Sequence, residues 1–129
     1  VAGSLDVRVV TPERPVFEGA AESVVVPAHD GEVGILPRHA RFLATLGVGE
    51  LRVRTAGGVA RFFVEGGFVQ VADDRVTVLC DRAVPTSELD PAAADAQAAA
   101  ATSPMERTRL QKRAAAMRRV LQQGSALAH

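Results

Sequence analysis

Three side chains suited to metal or acid–base chemistry fall close together in this sequence: His29, Asp30 and His39. Imidazole nitrogens and a carboxylate are common ligands of a divalent ion, and with a bound water they would make a hydrolytic centre. Their spacing fits no helical zinc motif, and Gly31 and Pro37 place all three in loops, where solvated or interface residues are the usual content. The sequence therefore predicts no metal site and no cofactor. A serine nucleophile fares no better, because Ser4, Ser23, Ser87, Ser103 and Ser125 lack the strand–turn–helix setting that exposes such a hydroxyl. Cys80 ends a valine-rich run and reads as a small buried hydrophobe. No phosphate loop of the G-x-x-x-x-G-K-[ST] type exists, and Lys112 is the only lysine. Catalysis by this chain is not expected.

A second group of residues points to binding. Arg107, Arg109, Lys112, Arg113, Arg118 and Arg119 stand within the segment 105–123, where Glu106 is the only acid. Like charges this close repel, and arginine is the better residue for bidentate carboxylate pairing, so an acidic partner surface with salt-sensitive binding is expected. Over the whole chain, 15 basic residues balance 15 acidic ones. That balance excludes a general nucleic-acid binder, which draws most of its affinity from phosphate neutralisation.

The elements that must hold these residues differ in the two parts of the chain. Its 129 residues, 47% apolar and 23% charged, suit a single core with an appendage. One cysteine rules out an internal disulfide framework. No apolar run approaches the roughly 18 residues that cross a bilayer, and no signal-peptide pattern opens the chain, so a soluble intracellular protein is expected. Residues 1–84 read as a β domain. Leu5, Val7 and Val9 alternate with polar neighbours, and short runs recur at Glu22–Val26, Gly49–Arg54, Val59–Glu65, Phe68–Val71 and Val76–Cys80. Thr11-Pro12, Asp30-Gly31, Gly57-Gly58, Gly66-Gly67 and Asp73-Asp74 punctuate them as turns, which predicts a sandwich or barrel.

Residues 85–129 read as a helical hairpin. Asp90 caps a helix that begins at Pro91 and runs to Ala101, and Ser103-Pro104-Met105-Glu106 is a capping box that opens a second helix. Leu110, Ala114, Met117 and Leu121 form its apolar stripe, and Gly124 is the expected stop. The first helix offers almost only methyl groups to bury. At about 25 cal/mol per Å² its docking is weak, and the hairpin is expected to leave the β domain readily.

Certain segments are similar to epsilon subunits of F-type ATP synthase (delta in mitochondria). They are Val9-Val10-Thr11-Pro12-Glu13-Arg14 with Val16-Phe17, then Gly31-Glu32-Val33-Gly34-Ile35-Leu36-Pro37 with His39-Ala40. Gly66-Gly67-Phe68 and Arg75-Val76-Thr77-Val78-Leu79 complete the series. The resemblance implies a sandwich of about ten short strands in two sheets, followed by two antiparallel helices. It implies a non-catalytic rotor subunit between the gamma shaft and the c-ring, peripheral on the cytoplasmic face of the inner membrane and held there only through the complex. It further implies that the arm blocks ATP hydrolysis, with its basic helix meeting the C-terminal regions of the alpha and beta subunits.

Carried over by position, His29, Asp30, Gly31 and Glu32 face the c-ring, with Arg38 and His39 at the same end of the domain. Glycine and proline are usual in relatives where Arg38 and Arg41 stand. A further pattern in some relatives, Ile or Leu, Asp, two variable residues, Arg, Ala, binds ATP. Here Leu89-Asp90 is followed by Ala93 in place of the arginine. The alternative function, a nucleotide-sensing module closing on ATP, is disfavoured accordingly, since a lost charge-assisted contact costs about 1.5–3 kcal/mol.

Overall fold

The computed structural model describes residues 4–127, with side chains through Gln122. It divides between Pro85 and Thr86 into two compact units, a β unit and a helical one.

The β unit has eight strands: β1 Leu5–Val10, β2 Pro15–Ala21, β3 Ser23–Ala28, β4 Gly31–Ile35, β5 Phe42–Thr45, β6 Val48–Thr55, β7 Gly58–Ala72 and β8 Arg75–Pro85. Hydrogen bonds run in the order β2-β1-β8-β7-β6-β3-β4, with β5 on β7. β7 pairs with β6 from Gly58 to Glu65, then with β5 from Phe68 to Val71. β8 pairs with β1 in parallel from Arg75 to Leu79, while its residues Arg82–Pro85 stay on the first half of β7. These two long strands thus pass from one layer into the other. One layer is β2-β1-β8-β7-β5 and the second is β8-β7-β6-β3-β4. The expected sandwich of about ten short strands forms with eight among the described residues, two of which serve both layers.

Gly66 and Gly67 lie where β7 changes layer, and here the sequence reading needs correction. They do not form a hairpin turn. Their φ angles of +67° and +111° let the strand bend without ending. The Gly66 amide donates to the Gly47 carbonyl (3.2 Å), and the Leu46 amide donates to the Gly67 carbonyl (2.9 Å). The bend is thereby tied to the β5–β6 connection.

Alternation on both layers fills the space between them. Leu5, Val7, Val9, Val24, Val26, Ile35, Leu51, Val53, Val64, Val69, Val71, Val76 and Val78 form one core, and Phe17 meets Phe62 edge-on at 6.3 Å. With no tryptophan or tyrosine available, branched aliphatics carry the burial, each worth roughly 1.5–3 kcal/mol when fully enclosed.

In the helical unit, a single 3₁₀ turn at Thr86–Glu88 precedes α1 (Pro91–Ala100) and α2 (Pro104–Leu127). The Asp90 carboxylate accepts from the Ala93 amide at 3.1 Å, and the Ser103 hydroxyl accepts from the Glu106 amide at 3.4 Å, so both predicted caps form. Ala98, Ala101 and Leu110 cluster between the helices. α2 does not stop at Gly124 but continues to Leu127. A glycine costs a helix about 1 kcal/mol and does not end it unless the chain turns left-handed there.

Candidate functional site

The residues read as one c-ring-facing group are divided by the fold. His29 and Asp30 make the two-residue turn between β3 and β4, closed by the Ala28–Gly31 pair, and the His29 amide donates to the Thr45 carbonyl at 3.0 Å. Arg38 and His39 lie beyond the other end of β4, on the connection to β5. A five-residue strand spans roughly 15 Å. The expectation that Arg38 and His39 share an end with His29 is therefore corrected: a strand lies between them, and its two ends point opposite ways. The same separation parts His39 from His29 and Asp30, and no group of three or more His, Cys, Asp or Glu among the described residues is placed to hold a metal ion.

At the β3–β4 turn, Glu32 pairs with Arg52 at 3.1 Å. Arg52 also lies 3.5 Å from Glu50, and Arg61 lies 3.1 Å from the same carboxylate oxygen. Glu50 is only 3% exposed, so its charge requires such partners; two guanidiniums offset the loss of water. This network spans β4, β6 and β7 and was not evident from sequence, where Gly49–Arg54 reads only as a short β run.

The opposite end carries strain. Arg38, Asp73 and Asp74 have φ of 67°, 53° and 61°, the left-handed region that costs a side-chain-bearing residue about 1–2 kcal/mol. They brace one another: the Arg38 amide donates to the Asp74 carboxylate at 2.6 Å, and the Asp6 amide donates to the Asp74 carbonyl at 2.8 Å. Arg41 sits 3.6 Å from Asp73 in an exposed pair. His39 packs edge-on against Phe42.

A third feature was also missed. On the outward face of the first layer, Thr45, Phe68, Leu79 and Val10 stand side by side across β5, β7, β8 and β1. Leu43 lies on the same face, two residues along β5 from Thr45. Leu43, Phe68 and Leu79 are 70%, 53% and 50% exposed, and a groove of about 330 Å³ runs beside them, lined by Val10, Pro12, Phe68, Leu79 and Asp81. Apolar side chains at solvent-facing positions of alternating strands were the available signal.

The cations of α2 are not equivalent. At about 100° per residue, Leu110, Ala114 and Met117 form one buried stripe. Arg107 and Arg118 border that stripe and are turned inward to α1: Arg107 donates to the Ala101 carbonyl at 3.1 Å, and Arg118 pairs with Asp95. Arg113 is half-buried and engaged. Arg109, Lys112 and Arg119 lie on the exposed flank and make no ion pair among the described residues. Met105, Thr108, Arg109 and Lys112 line a groove of about 450 Å³ there, with Met105 84% exposed. Leu89 and Asp90, the remnant of the nucleotide pattern, precede α1, and the Asp90 carboxylate is occupied as a helix cap.

The arrangement defines a two-layer β-sandwich with an appended helical hairpin, bearing one apolar and one basic surface. Residues 4–86 match the family model described as "ATP synthase, Delta/Epsilon chain, beta-sandwich domain". The chain is 42% identical to the ATP synthase epsilon chain of Acidithiobacillus ferridurans over 113 residues, covering 82% of this chain and 80% of that one. It is 42% identical to that of Desulfitobacterium hafniense strain Y51 over 90 residues, covering 70% and 68%. This chain belongs to the ATP synthase delta/epsilon family. In fold it is similar to a chain of the Euglena gracilis mitochondrial ATP synthase structure "OSCP/F1/c-ring in rotational state 1", with a TM-score of 0.72 at 21% identity, covering 98% of this chain and 82% of that one. A chain of the Tetrahymena thermophila "central stalk/cring" structure gives 0.54 at 18% identity, covering 65% and 68%.

Proposed function

We propose that this chain is a non-catalytic central-stalk subunit of an F1Fo ATP synthase, coupling the gamma shaft to the c-ring during proton-driven ATP synthesis. Its family membership makes it an ATP synthase subunit. The observation that carries the finer reading is the apolar row Val10, Phe68 and Leu79 with Leu43 beside it. Contiguous apolar side chains held out on a regular sheet face mark a protein contact. The gamma shaft is the partner assigned to that face, and the His29–Glu32 turn is assigned to the polar loops of the c-ring. Arg38 and His39, at the far end of β4, belong to a different contact. The exposed cations of α2 are assigned to acidic C-terminal segments of the alpha and beta subunits, where the arm restrains ATP hydrolysis. The chain then sits peripherally on the cytoplasmic face of the inner membrane, held by its partners alone. A nucleotide-sensing role is disfavoured: Ala93 replaces the phosphate-binding arginine, and Asp90 is committed to capping.

Copurification with gamma and the c-ring is the decisive experiment. The full chain is expected to bring down both, and failure to retain gamma overturns the assignment. ATPase activity of the assembled enzyme is expected to rise when residues 86–129 are removed; no rise leaves coupling without inhibition.

A further inference from the structure

We propose that the Asp95–Arg118 pair, with the Arg107 bond to the Ala101 carbonyl, is an electrostatic latch that keeps the helical hairpin closed. Asp95 is the only charged residue of α1. Its carboxylate faces both terminal nitrogens of the Arg118 guanidinium, the second contact at 3.5 Å, a fork-to-fork arrangement that fixes direction as well as distance. Arg107 ties the C-terminal end of α1, where the free carbonyls carry negative partial charge and a cation is favourable. The two ties thus hold the middle and the C-terminal end of one short helix.

The apolar contact between the helices is small, because α1 buries only the methyl groups of Ala94 and Ala98. A polar pair worth a fraction of the usual core contribution is then a large share of what closes the hairpin. Closure also divides the cations of α2. Arg109, Lys112 and Arg119 stay available, whereas Arg107 and Arg118 are committed to α1. An acidic partner competes with Asp95 for Arg118, so partner binding and hairpin opening favour each other. This last step rests on the acidic-partner assignment above; the latch itself does not.

The test is amide hydrogen exchange over residues 91–100 of the full-length chain, for wild type, Asp95→Arg, Arg118→Asp and the double exchange of the two. A half-exposed pair of this kind is expected to change the opening equilibrium about two- to fivefold. Each single variant should exchange faster by about that factor at low salt, and the double variant should return to the wild-type rate. Single variants that exchange like wild type, or a double variant as fast as the singles, overturn the latch. Polyglutamate peptide then separates the two ideas. It should speed exchange in α1 of the wild type and bind Asp95→Asn more tightly. A peptide that binds while α1 exchange stays unchanged overturns the coupling of latch to partner. A peptide that does not bind removes the acidic-partner assignment and leaves the latch to be decided by the exchanged pair.

Discussion

Gly67 and Leu79 approach so closely across the β7–β8 pairing that a Cβ on Gly67 would overlap the Leu79 carbonyl oxygen. The obstacle is backbone on a central strand pair and cannot swing aside. A Cβ on Gly66 would instead meet the Asp81 carboxylate, the far end of a side chain with room to turn. Gly67→Ala is expected to cost more than about 3 kcal/mol, and Gly66→Ala about 1–2 kcal/mol, mostly from its φ of +67°. Urea denaturation checks the order. Equal losses would mean that the layer-crossing bend does not depend on the Gly67–Leu79 approach.

Arg38 stands at φ 67° where relatives are expected to carry glycine. Arg38→Gly removes roughly 1–2 kcal/mol of left-handed strain and adds about 0.5–1 kcal/mol of backbone entropy to the unfolded chain. The amide bond to Asp74 survives the change. A net gain of about 0.5 kcal/mol, seen as a small rise in Tm, is expected.

Much of this fold was legible because its cues are local. The alternation of Leu5, Val7 and Val9, the turn at Asp73-Asp74, and the caps at Asp90 and Ser103 each depend on neighbours within a few residues, and each formed as read. β2, β4 and β5 were not read as separate runs, since Gly19, Gly31 and Gly34 dilute the first two and β5 has only four residues. The passage of β7 through Gly66-Gly67 was misread as a turn because its cause is the Leu46–Gly47 segment, some twenty residues earlier in the chain. Site residues followed the same division. The basic character of α2 was plain, but which cations turn toward Asp95 and Ala101 depends on the angle at which two helices meet. Whether Arg38 shares an end with His29 depends on β4, which sequence alone did not reveal.

Burial pushes the Cys80 thiol up to about 12 from its ordinary 9.0, with the neighbouring Asp81 charge adding to the effect. The folded state holds the thiol neutral while the unfolded chain ionises it from about pH 9. Unfolding is therefore favoured progressively as pH rises from 9 towards 12, and below 9 this group contributes no pH dependence. Cys80→Ser or Cys80→Ala should flatten that alkaline loss in a chemical-denaturation series. Thiol labelling of the native wild type should be no faster than unfolding allows, since Cys80 is 4% exposed.

Asp90 spends its carboxylate on the Ala93 amide. Asp90→Ala is expected to weaken the hairpin by about 1 kcal/mol, read as loss of helical circular dichroism on heating. ATP should do neither more nor less to the variant than to the wild type. Calorimetry of the wild type is expected to show no low-micromolar ATP binding; a Kd in that range would restore the nucleotide-sensing reading and require another group to take the place of the missing arginine.

Leu79 and Val48 are nearly matched in exposure, at 50% and 52%, but stand on different strands and on different layers of the sandwich. A glutamate at either place faces water in the isolated chain, so both variants should stay within about 0.5 kcal/mol of wild type. Their assembly should differ. Leu79→Glu puts a charge in the middle of the row formed with Phe68 and Val10, where a docked partner would strip it of water without a counter-ion. Retention of gamma in copurification is expected to fall at least tenfold for Leu79→Glu and to stay unchanged for Val48→Glu. The reverse result would move the shaft contact to the outward face of β6, and equal retention by both would leave the apolar row without a role in assembly.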